Sequence, residues 1–111
     1  MQTNKETKKD CYAVKMTVVE NDKEVARAWL YVLQNDLHKE PFGLLEDVFV
    51  DEDQRGKGLG TKLVREIIEE SKKIGCYKLI ATVRSSRGVT CSWYEKFGFL
   101  NYGSELRMNL K

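Results

Sequence analysis

The stretch from Leu44 to Thr61 does most to limit what this chain can become. It reads Leu44-Leu45-Glu46-Asp47-Val48-Phe49-Val50-Asp51-Glu52-Asp53-Gln54-Arg55-Gly56-Lys57-Gly58-Leu59-Gly60-Thr61. Val48, Phe49 and Val50 favour a pleated strand. Beyond the glycines, Leu59, Leu63, Ile67 and Ile74 recur at helical spacing, with Val64, Ile68 and Ser71 beside them. The pattern predicts a central strand over Leu44 to Val50, a tight acidic turn, a glycine-rich loop, and a helix from about Gly58 to Ile74. Lys72 and Lys73 suit the C-terminal end of that helix, and Gly75 is its stop signal.

The junction breaks local rules together. The first turn of a helix has backbone N–H groups with no intrahelical partner, and it carries the positive end of the helix dipole. Arg55 and Lys57 are therefore at the wrong end for helix stability, and three glycines add conformational entropy to be lost. An anion resolves the conflict. Its oxygens accept the free N–H groups, pair with the two cations, and approach closely because glycine has no Cβ. The plainer alternative is a cationic turn with no ligand.

Two phosphate-binding patterns fail here. The P-loop requires Gly-Lys-Ser/Thr, which is absent, and the dinucleotide fingerprint requires glycine where Thr61 stands. The pattern that fits is Gln/Arg-x-x-Gly-x-Gly/Ala, as Arg55-Gly56-Lys57-Gly58-Leu59-Gly60. This resembles the coenzyme A pyrophosphate loop of the GNAT superfamily of N-acetyltransferases. A second segment, Trp93-Tyr94-Glu95-Lys96-Phe97-Gly98-Phe99, is similar to the signature that follows the second core strand in those enzymes.

Composition excludes several classes. A chain of 111 residues suffices for one compact domain. With 41% hydrophobic and 32% charged residues it is too apolar for disorder. A net charge of +2 gives no field that argues for nucleic acid or a membrane surface. The longest apolar run, Ala28 to Leu33, is far short of a bilayer span, and the first ten residues are too polar for a signal peptide. Cys11, Cys76 and Cys91 are odd in number and read as reduced thiols, hence a cytoplasmic expectation. The lone histidine, His38, and the scattered cysteines give no metal-ligand spacing.

Taken in order, residues 1–10 are polar and lysine-rich and are expected to be a mobile arm, with a single domain over 11–111. Cys11 to Glu20 alternates, with Tyr12, Val14, Met16 and Val18 on one face. A turn at Asn21-Asp22-Lys23 leads to a strand from Glu24 to about Gln34. There Ala26, Ala28, Leu30 and Val32 form one face, and Arg27, Trp29 and Tyr31 the other. The aromatic face has the makings of a dimer surface or a substrate wall, with packing under a loop or helix the preferred expectation. Asn35 to Gly43 is a loop carrying His38. In the central strand Glu46 and Asp47 are consecutive, so strict alternation sends one of them toward whatever covers each side. A carboxylate lining a cleft there can act as general base or hold an ammonium group. Cys76 to Val83 reads as a buried strand, parallel to the central one through a right-handed crossover. Arg84 to Gly88 is a polar loop, Val89 or Thr90 to Phe97 a short helix, and Phe99–Tyr102 with Ser104–Leu110 a closing hairpin.

The resemblance narrows with Leu45-Glu46-Asp47-Val48, Gly75-Cys76-Tyr77-Lys78-Leu79-Ile80 and Tyr94-Glu95-Lys96-Phe97-Gly98-Phe99, which look like glucosamine-6-phosphate N-acetyltransferases over roughly residues 44–110. It implies an α/β (α+β) fold: a mixed, mostly antiparallel sheet with a splayed parallel strand pair and two packed helices, here in a minimal version. The family's helical segment after its first strand has no counterpart before Cys11, so the likeness reads as truncated at the N-terminus. Thr90 stands where the family commonly has Asn, and Asn109 where a basic residue is expected, with Arg107 nearby.

What the resemblance implies chemically is acetyl transfer from acetyl-coenzyme A to a primary amine by direct attack in a ternary complex, with no metal. The pantetheine arm would pair with the backbone of Val48, Phe49 and Val50. The pyrophosphate would rest on Gly56, Lys57, Gly58, Leu59, Gly60 and Thr61 with Arg55 beside it. Glu46 would take the amine proton directly or through water, the Val48 N–H would stabilise the thioester oxygen, and Tyr94 would serve the leaving sulfur. The plainer readings are a structural strand carboxylate at Glu46 and a core aromatic at Tyr94. Cys91 as an acyl carrier is disfavoured. The expected partners are a small-molecule amine acceptor and a second copy in a homodimer, with neither nucleic acid nor membrane. The alternative function is a non-catalytic acyl-coenzyme A-binding module lacking its own acceptor site.

Overall fold

The computed structural model describes residues 1–83 and 88–111. Its elements run β1 (Tyr12–Glu20), β2 (Lys23–Leu33), β3 (Phe42–Val50), a 3-10 turn (Glu52–Gln54), α1 (Leu59–Ile74), β4 (Leu79–Ala81) and α2 (Gly88–Glu95). The chain divides into two compact units, Met1–Ile80 and Ala81–Lys111. The sheet order is β1-β2-β3-β4. β1/β2 and β2/β3 are antiparallel and β3/β4 is parallel, the mixed α/β architecture expected.

Asn21 and Asp22 make the first hairpin. Both adopt positive φ, +52° and +61°, and Glu20 pairs directly with Lys23. A two-residue loop with two left-handed residues matches strand twist, and Asn and Asp tolerate that conformation best among residues with a side chain. Lys23 therefore belongs to the strand rather than to the turn. Alternation then separates the faces of β2: Ala26, Ala28, Leu30 and Val32 are buried, while Arg27 and Trp29 are half-buried and Tyr31 is exposed.

The buried face of the sheet is covered by α1. Leu63, Val64 and Ile67 are at most 1% exposed, and Leu30 is fully buried. These side chains recur at helical spacing, so one stripe of α1 meets one face of the sheet. Ser71, the buried polar residue of the stripe, donates its hydroxyl to the Ile67 carbonyl at 2.7 Å. The helix ends as expected: Gly75 takes φ +94°, and the N–H groups of Gly75 and Cys76 return to the Ser71 carbonyl.

Gly43 marks a close approach inside this unit. A Cβ there would meet Leu30 Cδ1 and Leu79 Cδ1, each at 2.9 Å. The Gly43 N–H donates to the Lys78 carbonyl and the Tyr77 N–H to the Pro41 carbonyl, joining the start of β3 to the approach of β4.

Two expectations are corrected here. β4 is only Leu79–Ala81, not Cys76 to Val83. Cys76 is consumed by the helix cap and Tyr77 by its bond to Pro41. The closing hairpin is absent: residues 99–111 carry no strand, and Leu100, Tyr102, Leu106, Met108 and Leu110 are exposed. Alternating apolar residues describe a strand only where another strand pairs with them, and none among the described residues does. The expected loop over Arg84 to Arg87 lies outside the described residues.

In the second unit, α2 runs Gly88–Glu95, ending short of Phe97. The Phe97 and Gly98 N–H groups close a turn onto the carbonyls of Tyr94 and Glu95, with Gly98 at φ +105°. Trp93, Tyr94, Phe97 and Phe99 meet edge to face, with ring centroids 4.9 to 5.6 Å apart.

Candidate active site

The strand-to-helix junction is ordered by its own backbone. The Asp51 N–H donates to the Val25 carbonyl at 2.9 Å, fixing the end of β3 against β2. The 3-10 turn follows, closed by the Gln54 N–H onto the Asp51 carbonyl. Gly56 and Gly58 then adopt φ of +80° and +81°, and nothing lies within 4 Å of where a Cβ would stand on either. Gly58 is the N-cap of α1 and no side chain caps the helix. The N–H groups of Leu59, Gly60 and Thr61, which have no intrahelical acceptor, therefore open onto the loop.

The two cations are partly engaged. Arg55 Nε donates to the Val50 carbonyl at 3.0 Å, and Lys57 Nζ to Gln54 Oε1 at 3.0 Å. A guanidinium has five N–H donors and an ammonium three, so each side chain, exposed in the loop, keeps donors free for an anion. Open backbone donors, left-handed glycines and two positive charges fit a phosphate group. Val48, Phe49 and Val50 lead directly into this loop. β4 is short, so this half of β3 has no strand neighbour on that side among the described residues. One of its groups, the Val50 carbonyl, is already taken by Arg55.

At Glu46 and Asp47 the strand departs from simple alternation. Trp29 pairs with Glu46 and Arg27 with Phe49, so Asp47 and Val48 together stand opposite Ala28. This is a β-bulge, and Asp47 at its centre has φ +54°. The expectation that the two carboxylates point to opposite faces is therefore corrected. Glu46 shares the face of Trp29, and Asp47 reaches Arg27 on that same face, so neither points under α1. Glu46 is half-buried there.

Asp47 is bound by both arms of one guanidinium. Arg27 Nε lies 2.7 Å from Asp47 Oδ2, and an Arg27 terminal nitrogen donates to Oδ1 at 3.1 Å. That hydrogen bonding holds the Asp47 carboxyl below the ordinary carboxylate range, against the opposing effect of desolvation, and holds Arg27 more firmly protonated. The Arg27 guanidinium also lies 4.7 Å from the Phe49 ring centre, and Arg55 lies 5.7 Å from the same ring. Nothing in the residues around Arg27 marks it for this contact, because its partner is 20 residues away in sequence. The signal available was a pair of adjacent carboxylates in a strand, one of which a bulge must redirect.

On the aromatic face Trp29 is half-buried and Tyr31 exposed. The Trp29 and Tyr31 rings stack 5.9 Å apart and within 10° of parallel, and Lys15 Nζ lies 5.6 Å from the Trp29 centre.

Tyr94 sits half-buried in the second unit, between Trp93 and Phe99. Cys91 Sγ donates to Glu95 at 3.5 Å, and that bond, with desolvation and the carboxylate charge, raises the thiol above its usual range. An acyl carrier requires the opposite shift. His38 stacks on Tyr77 with centroids 4.0 Å apart, away from the loop chemistry. Among the described residues no His, Cys, Asp and Glu cluster could hold a metal ion, and no helix is long and apolar enough to cross a membrane. Glu46, Val48 and the loop to Thr61 thus lie along one continuous run of chain, while Tyr94 belongs to the other unit.

Comparison with known proteins identifies the family. Residues 2–99 match the model of the Acetyltransferase (GNAT) family. The chain is 40% identical over 68 residues to a glucosamine 6-phosphate N-acetyltransferase of Trypanosoma brucei brucei, covering 61% of this chain and 44% of that protein. It is 35% identical over 52 residues to an L-methionine sulfoximine/L-methionine sulfone acetyltransferase of Pseudomonas paraeruginosa, covering 47% and 30%. It spans less than half the length of these curated relatives. A crystal structure of a Trypanosoma brucei acetyltransferase superimposes with a TM-score of 0.81 at 30% identity, over 88% of this chain and 69% of that one. The glucosamine-6-phosphate N-acetyltransferase of Arabidopsis thaliana gives 0.79 at 29%, over 89% and 67%. On the family match over nearly its whole length, and on a fold shared with these structures, the chain belongs to the GNAT acetyltransferase family.

Proposed function

We propose that this domain transfers the acetyl group of acetyl-coenzyme A to a primary amine on a small-molecule acceptor, by direct attack within a ternary complex. The observation that carries this reading is the unbroken run of Glu46, a bulged strand end, and an open glycine loop at the start of α1. The loop from Arg55 to Thr61 holds the pyrophosphate through backbone N–H groups and two cations. The strand edge at Val48 and Phe49 offers the backbone groups on which an extended pantetheine arm can pair. A bound thioester supplies the activated acetyl group.

An amine attacks only when neutral. Glu46 stands half-buried beside the bulge and takes the proton, directly or through water. The Val48 N–H stabilises the carbonyl oxygen as charge builds on it. From the family resemblance alone, Tyr94 is the expected donor to the departing sulfur. The acceptor resembles those of the curated relatives in being a small amine, an aminosugar phosphate or an amino-acid analogue. A second copy of the chain covers the Trp29 and Tyr31 face, and three unpaired cysteines accord with a reducing cytoplasm. A purely monomeric chain by light scattering removes the dimer from this account.

The alternative of an acyl-coenzyme A-binding module has one observation in its favour: the match spans less than half of each curated relative. Release of coenzyme A over a panel of primary amines separates the two. Turnover with any of them supports transfer. Tight binding of acetyl-coenzyme A without turnover supports the module.

A further inference from the structure

We propose that Arg27 is a positioning residue whose guanidinium clasps Asp47 and so holds the β3 bulge in the shape that presents Glu46 and the Val48 N–H. It rests on the acetyl-transfer reading for what that shape is used for, but not for the clasp itself.

The bulge needs holding. Asp47 is a residue with a Cβ at φ +54° in the interior of a strand. Asp tolerates such a conformation better than most residues but still less readily than glycine, and inside a strand it persists only where the surroundings determine it. The hairpin residues Asn21 and Asp22 are also left-handed, but there a two-residue turn imposes it. No turn does so at Asp47.

The clasp has the form the task requires. Two parallel N–H donors of Arg27 meet the two oxygens of Asp47, at 2.7 and 3.1 Å. A bidentate fork fixes the carboxylate in angle as well as distance, which a lysine ammonium cannot do. Arg27 is itself steadied from two sides. Its guanidinium lies over the Phe49 ring, and Glu24 approaches it at 3.9 Å. Phe49 in turn faces Arg55, whose Nε holds the Val50 carbonyl. Asp47, Arg27, Phe49 and Arg55 thus form one line of contacts on the outer face of the sheet, from the bulge to the glycine loop. An exposed ion pair of this kind adds little to global stability, so its placement points to local geometry.

The consequence is specific. If the clasp fixes φ at residue 47, a residue that adopts positive φ unaided makes it dispensable. Glycine is that residue. The experiment compares Arg27→Ala, Arg27→Lys and the double variant Arg27→Ala/Asp47→Gly by backbone chemical shifts at residues 46–49 and by steady-state kinetics with acetyl-coenzyme A. In Arg27→Ala the residue 47 shifts leave the left-handed range, and kcat falls about 10²-fold, as for a misplaced reacting group, with little change in KM for acetyl-coenzyme A. Arg27→Lys recovers only part of this. The double variant regains the left-handed shifts and most of kcat, a rescue that loss of a surface charge would not permit. Unaltered residue 47 shifts in Arg27→Ala overturn the proposal, as does a kcat loss that the added glycine fails to repair. If the wild-type chain transfers no acetyl group, the function proposed above fails, and the shifts alone still decide the clasp.

Discussion

The two faces of β2 and β3 are built by different rules. Toward α1, Ala28, Leu30, Leu45, Leu63, Val64 and Ile67 are nearly dry, and their contribution comes from area removed from water and from close packing. On the opposite face Lys15, Arg27, Trp29, Glu46, Asp47 and Phe49 remain partly in water and are related by ion pairs, ring stacking and direct register. The same strands serve both. The inner face tolerates no gap, while the outer face carries a bulge and a left-handed residue. If the proposed site is right, fold stability and chemistry are separable by mutation.

The predictions test that separation. The largest effect belongs to the loop that both faces lead into. Gly58→Glu puts bulk at a left-handed position and a negative charge at the proposed pyrophosphate site, so binding of acetyl-coenzyme A is lost beyond detection by calorimetry. The far-UV spectrum stays that of the wild type. Unchanged affinity would place the pyrophosphate elsewhere.

On the outer face, Glu46→Gln keeps the shape and removes the proposed base. It lowers kcat by about 10²- to 10⁴-fold, the usual range for general base catalysis, and leaves the melting temperature nearly unmoved. A large loss of melting temperature instead would make Glu46 a structural carboxylate. On the inner face the pattern reverses. Ile67→Ala costs about 3 kcal/mol by cavity formation, a drop in melting temperature on the order of ten to twenty degrees. At a temperature where the variant is still folded, its KM for acetyl-coenzyme A matches that of the wild type.

The smallest effect is in acid. Asp47 has a depressed carboxyl in the folded state, so the stability it contributes is present above the ordinary carboxylate range and is lost as pH falls through the folded value. Thermal melts below that range should narrow the difference between wild type and Asp47→Asn, and melts at neutral pH should widen it. A difference independent of pH would detach the Arg27 contact from the Asp47 charge.

Local periodicity carried most of the fold. The first hairpin, the stripe of α1 and the glycine that ends it follow from neighbours within a few residues, so the sequence alone places them. The glycine loop was legible for the same reason, since Arg55 to Gly60 is a contiguous pattern. What escaped depended on partners distant in sequence. The bulge at Asp47 exists only through register against β2, and Arg27 is 20 residues away from the carboxylate it binds. The alternation through Leu106, Met108 and Leu110 was real, but periodicity does not supply a strand to pair with. Cys76 read as strand because its composition suits one, whereas the helix cap claims its N–H.

The central claim is that the loop from Arg55 to Thr61 holds the pyrophosphate of acetyl-coenzyme A. A thermal melt with and without acetyl-coenzyme A, with NAD and ATP as controls, tests it most directly. Ligand near 100 times its dissociation constant adds about 2.7 kcal/mol of stability, a shift on the order of ten degrees for a domain of this size. A shift of that size with acetyl-coenzyme A alone is the predicted result. No shift, or an equal one with ATP or NAD, would contradict the claim.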